Sequence, residues 1–118
     1  MERFTDIALQ EIAVGKDILL IITGGDRHIG AASTAYWNDA RAHVQTSTVP
    51  GHKEHVLSEG LALRAAGKLR RTVTLVMGIH YDQLSGEDII AIGERAELLM
   101  DEYLLRRMGH DGGTRFEH

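Results

Sequence analysis

Hydrophobic and polar positions alternate with a period of two over the first half of the chain. After Pro50, the single proline, the period lengthens towards that of a helix. Residues 4–14 read as a first strand. Ile7 and Leu9 share one phase, and Ile12 and Val14 continue in the other. This shift predicts a bulge near Gln10-Glu11. Gly15-Lys16 reads as a tight turn. The apolar run Ile18-Leu19-Leu20-Ile21-Ile22 predicts a central strand over residues 18–23, covered on both faces. Residues 31–37 have strand character, and their small side chains imply a close-packed neighbour. Asn38-Asp39 is a turn signal. From residue 41 to 49, Ala42, Val44, Thr46 and Thr48 alternate with His43, Gln45 and Ser47, as on a half-exposed strand.

Residues 53–69 read as a helix. Leu57, Leu61, Ala65 and Leu69 recur every four positions, and Val56 and Leu63 widen the stripe. Residues 72–79 are β-branched and alternating, so they predict a fifth strand. A second helix starts at Ser85, a candidate N-cap with Asp88 three positions on. Its apolar face is Ile89, Ile92, Leu99, Tyr103 and Leu104. Arg106 and Arg107 suit its last turn and Gly109 its stop. The expected organisation is one α+β domain over residues 1–109, followed by a polar, mobile tail over 110–118. The order is ββββαβα, in a mostly antiparallel five-stranded sheet with two helices. Hairpins would make the first four strands antiparallel neighbours, and the first helix would return the chain to a strand parallel to the fourth.

Strand direction then places the loops. If the second strand runs upward, it ends at Gly24, the fourth ends near Pro50, and the fifth ends near His80. Segments 24–30, 50–55 and 78–86 therefore share one end of the sheet. Four of the seven histidines lie there: His28, His52, His55 and His80. Asp26, Arg27, Lys53, Glu54, Tyr81 and Asp82 join them. The opposite end carries only Gly15-Lys16 and Asn38-Asp39.

Composition narrows the function classes. With 13 basic and 17 acidic residues the net charge is −4, which argues against a nucleic-acid partner. There is no cysteine, hence no disulfide, thiolate metal site or cysteine nucleophile. The N-terminal residues do not have the build of a signal peptide, and no apolar run approaches the roughly 20 residues of a membrane span. The expectation is a cytoplasmic protein.

Three chemistries fit the crowded end. Gly51-His52-Lys53 at a helix start suits a phosphate, which would meet unpaired N–H groups and the Lys53 charge. No Walker or Rossmann pattern supports this, and Pro50-Gly51 equally well just turns the chain. His52 and His55, three apart, can share a helix face, and His28, His80, Asp26 or Asp82 would complete a zinc- or manganese-type site. Two surface histidines explain that spacing as simply. General acid–base work by His28 with Asp26, or His80 with Asp82, is the third option. Nucleophiles are lacking, since Ser33 lies within a strand. Trp37 reads as a plug for the core or a subunit contact, and His43 as a solvent-facing strand residue.

The stretch Gly24-Gly25-Asp26-Arg27-His28-Ile29-Gly30-Ala31, with Pro50-Gly51-His52-Lys53-Glu54, resembles the small prenylated-flavin chaperones, the D-subunit type of gallate decarboxylase. Gly78-x-His80 is a softer match. The resemblance implies a fold similar to that of proteasome assembly chaperones and a non-enzymatic role. Such a protein would take reduced prenylated FMN from a flavin prenyltransferase, protect it from oxidation and pass it to a UbiD-type decarboxylase, and would work as a homodimer. The residues carried over are Gly24, Gly25, Asp26, Arg27, His28, Gly51, His52, Lys53 and Glu54, with His80 added by the softer match. His55 stands where the family would carry an acidic residue. The flat ring system would need an apolar wall, for which Ile29, Ala31, Ile79 or a partner subunit are candidates. A histidine-rich metal-dependent hydrolase or lyase, and a pure protein assembly factor, are the alternatives.

Overall fold

The computed structural model describes residues 3–51 and 54–116, with side chains to residue 109. The element order is β1 (Ala8–Val14), β2 (Asp17–Gly25), β3 (Ala31–Asn38), β4 (Arg41–Thr48), α1 (His55–Leu69), β5 (Val73–His80) and α2 (Gly86–Phe116). The ββββαβα order expected from the sequence is observed, and three of the four strand pairings are antiparallel. Their spatial order departs from the expectation. The sheet runs β1-β2-β5-β3-β4, so β5 is inserted between β2 and β3. It pairs parallel with β2 and antiparallel with β3. Thus β2 and β3 are not hairpin neighbours, and the loop between them must cross the end of β5. Strand directions are as expected, because β5 runs the same way as β2 and β4.

Two-residue turns close the real hairpins. Val14 pairs with Asp17 around Gly15-Lys16, and Asn38 pairs with Arg41 around Asp39-Ala40. The predicted bulge in β1 is absent. The β1–β2 register is unbroken from Ala8↔Thr23 to Val14↔Asp17. The phase change has another cause: Ile7 and Leu9 point to the helix side, whereas Ile12 and Val14 lie exposed on the opposite face.

That opposite face is not covered by a helix. Along β2, Ile18, Leu20 and Ile22 are buried, while Leu19 and Ile21 are only half-buried. The expectation of a strand covered on both faces is therefore corrected. Both helices pack on one side, α1 over β3, β4 and β5, and α2 against α1 and β1. Small side chains let α1 sit close: Ala31, Ser33 and Ala35 of β3 and Ala62, Ala65 and Ala66 of α1 are all buried. Ser33 Oγ shares hydrogen bonds with Ser58 of α1 at 2.7 Å and Thr46 of β4 at 2.8 Å, so these buried hydroxyls have partners. Trp37 closes the far end of α1 by donating from Nε1 to the Ala66 carbonyl at 2.8 Å.

The second helix begins as its sequence dictates. Asp88 N–H donates to Ser85 Oγ at 3.1 Å, and Ser85 N–H donates to Asp88 Oδ2 at 3.0 Å, a reciprocal cap. The helix does not stop at Gly109 but continues to Phe116.

Candidate functional site

The glycine-rich crossing loop is built by backbone contact. Asp26 N–H donates to the His80 carbonyl, and Gly30 N–H to the Met77 carbonyl, both at 2.9 Å. Residues 26–30 thus clamp the end of β5 from both sides. Gly78 sits beneath this crossing. A Cβ there would lie 1.6 Å from the His28 carbonyl oxygen, so only glycine fits. Gly25 adopts φ +65°, which turns the chain out of β2. Its N–H donates to Asp6 Oδ2 at 2.7 Å. Tyr81 O–H donates to the other Asp6 oxygen, and Phe4 packs edge-on against the Tyr81 ring at 4.8 Å. The Tyr81 hydroxyl and the Gly25 N–H hold the Asp6 carboxyl below its usual pKa range. Burial and the Asp6 carboxylate push the Tyr81 phenol up.

Glu54 ties the loop to the start of α1. Its Oε2 accepts from the Ile79 N–H at 3.2 Å and contacts His28 Nε2 at 3.0 Å. His28 Nδ1 faces the Asp26 carbonyl at 3.0 Å. Both ring nitrogens thus face oxygen acceptors. Gly30 packs against the Glu54 carboxylate, which a Cβ would approach to 2.6 Å.

The expected meeting of loops at one end is therefore observed among the described residues. His28 and His80 lie 6.4 Å apart, ring to ring. His80 Nε2 contacts Asp82 at 3.2 Å, as the acid–base pairing anticipated, whereas His28 meets the Asp26 backbone and Glu54 rather than the Asp26 carboxylate. Arg27 is exposed, and Gly24 is buried under Ile7 and Tyr81. Gly51 is exposed at the mouth of a cleft, while His52 and Lys53 lie outside the described residues. His55 begins α1, with its Nδ1 buried and unbonded. Among the described residues, no group of three or more histidine or carboxylate side chains converges on a metal position.

The cleft is what the sequence reading missed. It opens between α1 and the first turns of α2, with a volume of about 850 Å³. This is within the usual range of about 300–1,000 Å³ for small-molecule sites. Met77 and Ile79 of β5 form part of its floor, Leu57 and Leu61 one wall, and Ile89 and Ile92 the other. Gly60 and Gly93 face it from mid-helix, and a Cβ at either would meet nothing within 4 Å. Of the three wall residues expected from the sequence, Ile79 lines this cleft. Ala31 is fully buried and Ile29 is exposed to solvent. One signal was present: a glycine inside a helix lowers stability by about 0.5–1 kcal/mol relative to alanine, so two such residues call for a reason.

A family model described as the prenylated flavin chaperone LpdD-like domain matches residues 2–107 of the chain. The chain belongs to this family. Protein LpdD of Lactiplantibacillus plantarum is 32% identical over 81 residues, a match covering 66% of this chain and 60% of that protein. The chain thus aligns with 60% of that relative's length. Among solved structures, a chain of a chaperone complex for yeast 20S proteasome assembly shares the fold. The TM-score is 0.53 at 11% identity, over 87% of this chain and 79% of that one. Membership in a chaperone family agrees with the expected non-enzymatic role. No helix among the described residues is long and apolar enough to cross a membrane.

Proposed function

We propose that this protein binds reduced prenylated FMN in the α1–α2 cleft, shields it from oxidation and delivers it to a UbiD-type decarboxylase. The donor in this reading is a flavin prenyltransferase, and the setting is the cytoplasm. The observation that carries the reading is the cleft itself: an apolar cavity of about 850 Å³ with Gly51, Glu54 and His80, from two of the stretches that carry the resemblance, at its mouth. A reduced flavin reacts with dissolved oxygen, so a carrier must remove the ring from water while leaving it releasable. Apolar walls between two helices meet both needs, because burial supplies affinity without covalent attachment.

The residues fit the cofactor. Ile79, Leu57, Ile89 and Ile92 supply apolar surface for the ring and its prenyl addition. Gly60 and Gly93 leave room for a flat group against the helix backbones. At the mouth, Gly51, Glu54 and His80 line the opening. Gly24, Gly25, Asp26, Arg27 and His28 hold that rim in shape, and His52 and Lys53 follow Gly51 in the sequence.

The working form in this reading is a homodimer joined through the uncovered sheet face. Ile12 and Val14 are 46% and 57% exposed there, and Leu19, Ile21 and Val76 lie half-buried beside them. Five strands at about 4.8 Å spacing give a face about 24 Å wide, the scale on which two sheets stack. Light scattering should report twice the chain mass, and a monomer at micromolar concentration would remove the dimer.

Anaerobic titration tests the binding. Reduced prenylated FMN should bind with saturation and reoxidise more slowly in air when bound. A folded protein that neither binds nor protects it would end this reading.

A further inference from the structure

The cleft has one feature that apolar burial does not explain. Arg64, on α1, lines it two turns beyond the mouth. From Val56 to Arg64 is eight residues, about 12 Å along the helix. Asp101 of α2 holds only Nη1, at 3.2 Å. Nε and Nη2 are buried from water and have no hydrogen-bond partner. These two nitrogens form the side edge of the guanidinium, whose parallel N–H groups match two oxygens of a phosphate or carboxylate. Buried donors normally find acceptors, and the Arg64 side chain lines the cavity, so a turn of the guanidinium towards the cleft would bring this unfilled pair to a ligand's acceptors.

The mouth is less suited to an anion. Glu54, at the N-cap position of α1, lines the cleft, and its carboxylate is held there by His28 and the Ile79 N–H. The His80 ring is engaged with Asp82. Glu97 also lines the cleft but is exposed, where water screens its charge.

We propose that Arg64 is the anion anchor of the cleft and takes the flavin's phosphate through Nε and Nη2. The phosphate then lies at the inner end of the cleft and the ring system towards the mouth, between Ile79 and Ile89. This orientation rests on the flavin-binding reading above and reverses the sequence expectation of a phosphate at Gly51-His52-Lys53. It leaves the ring facing the rim through which a decarboxylase would receive it.

The test compares two probes under anaerobic conditions: reduced prenylated FMN, and the same compound after phosphatase removes its phosphate. Wild-type protein should bind the phosphorylated form at least about tenfold more tightly, as expected for a charge-assisted bidentate contact. Arg64→Gln should abolish that preference without changing affinity for the dephosphorylated form. Arg64→Lys should restore part of it. Asp101→Asn breaks the same ion pair but keeps the cation, so it should retain the preference, and thermal melts of each variant establish folding. Equal loss for both probes in Arg64→Gln, or a preference lost in Lys53→Ala but not in Arg64→Gln, would overturn the anchor alone. A wild-type protein that binds both forms equally also removes the anchor. Failure to bind either form removes the functional reading together with the anchor.

Discussion

At the residue scale, two carboxylates organise the loop end. Glu54 joins the crossing loop, β5 and α1 through His28 and the Ile79 N–H. Asp6 joins the N-terminal segment to β2 and to Tyr81. The Asp6 carboxyl titrates below its ordinary value of 3.8 in the folded protein because the Tyr81 hydroxyl and Gly25 N–H favour its charged form. Its contribution to stability is therefore complete above about pH 4 and is lost as pH falls through the lowered value. Denaturant melts should show a steeper loss of stability from pH 5 to pH 3 in wild type than in Asp6→Asn. Parallel acid profiles would mean that Asp6 is no better placed in the folded chain than in the unfolded one. None of this was legible in the sequence, where Asp6 is one polar residue near a terminus and its partners stand 19 and 75 positions away.

At the element scale, local chemistry was legible and pairing partners were not. Alternation, the Ser85 cap and the turn residues define where strands and helices begin, because each acts over a few residues. Insertion of β5 between β2 and β3 depends on which strands bury each other, and a period-two pattern is the same in either position. The exposed phase of β1 imitated a bulge for a related reason: Ile12 and Val14 are apolar although they face away from the helices. The β3–β4 turn keeps a strain that its sequence reveals only with the structure. Asp39 and Ala40 have φ of 54° and 64°, the left-handed region that suits a two-residue hairpin. Alanine there costs about 1–2 kcal/mol that glycine avoids. Glycine also raises the entropy of the unfolded chain, so Ala40→Gly should stabilise by about 0.5–1 kcal/mol, seen as a higher denaturation midpoint. A lower midpoint would show that the alanine methyl makes a compensating contact.

At the scale of the whole molecule, strand parity brought the correct loops together, but the cavity lies partly elsewhere. The rim residues Gly51, Glu54 and His80 were readable because loops carry unusual residues. Arg64, Ile89 and Ile92 were not, since a charge on a helix reads as solvated and an apolar helix face reads as core. In the folded chain the first turns of α2 leave that apolar face unburied: Ile89 is 60% exposed. The fold that it shares with a chain of a yeast proteasome-assembly chaperone complex gives the scaffold, and the cleft is where the proposed flavin would sit.

The most direct measurement is anaerobic titration of reduced prenylated FMN into wild type and Gly93→Phe. Apart from its own helix turn, nothing lies within 4 Å of a Cβ at Gly93, and Gly93 lines the cleft, so a phenyl ring there should enter the cleft and the variant should fold. Saturable binding to wild type and loss of about tenfold or more affinity in Gly93→Phe is the predicted result, as occupied volume excludes the ligand. Undiminished binding by the folded variant would place the cofactor elsewhere and contradict the account.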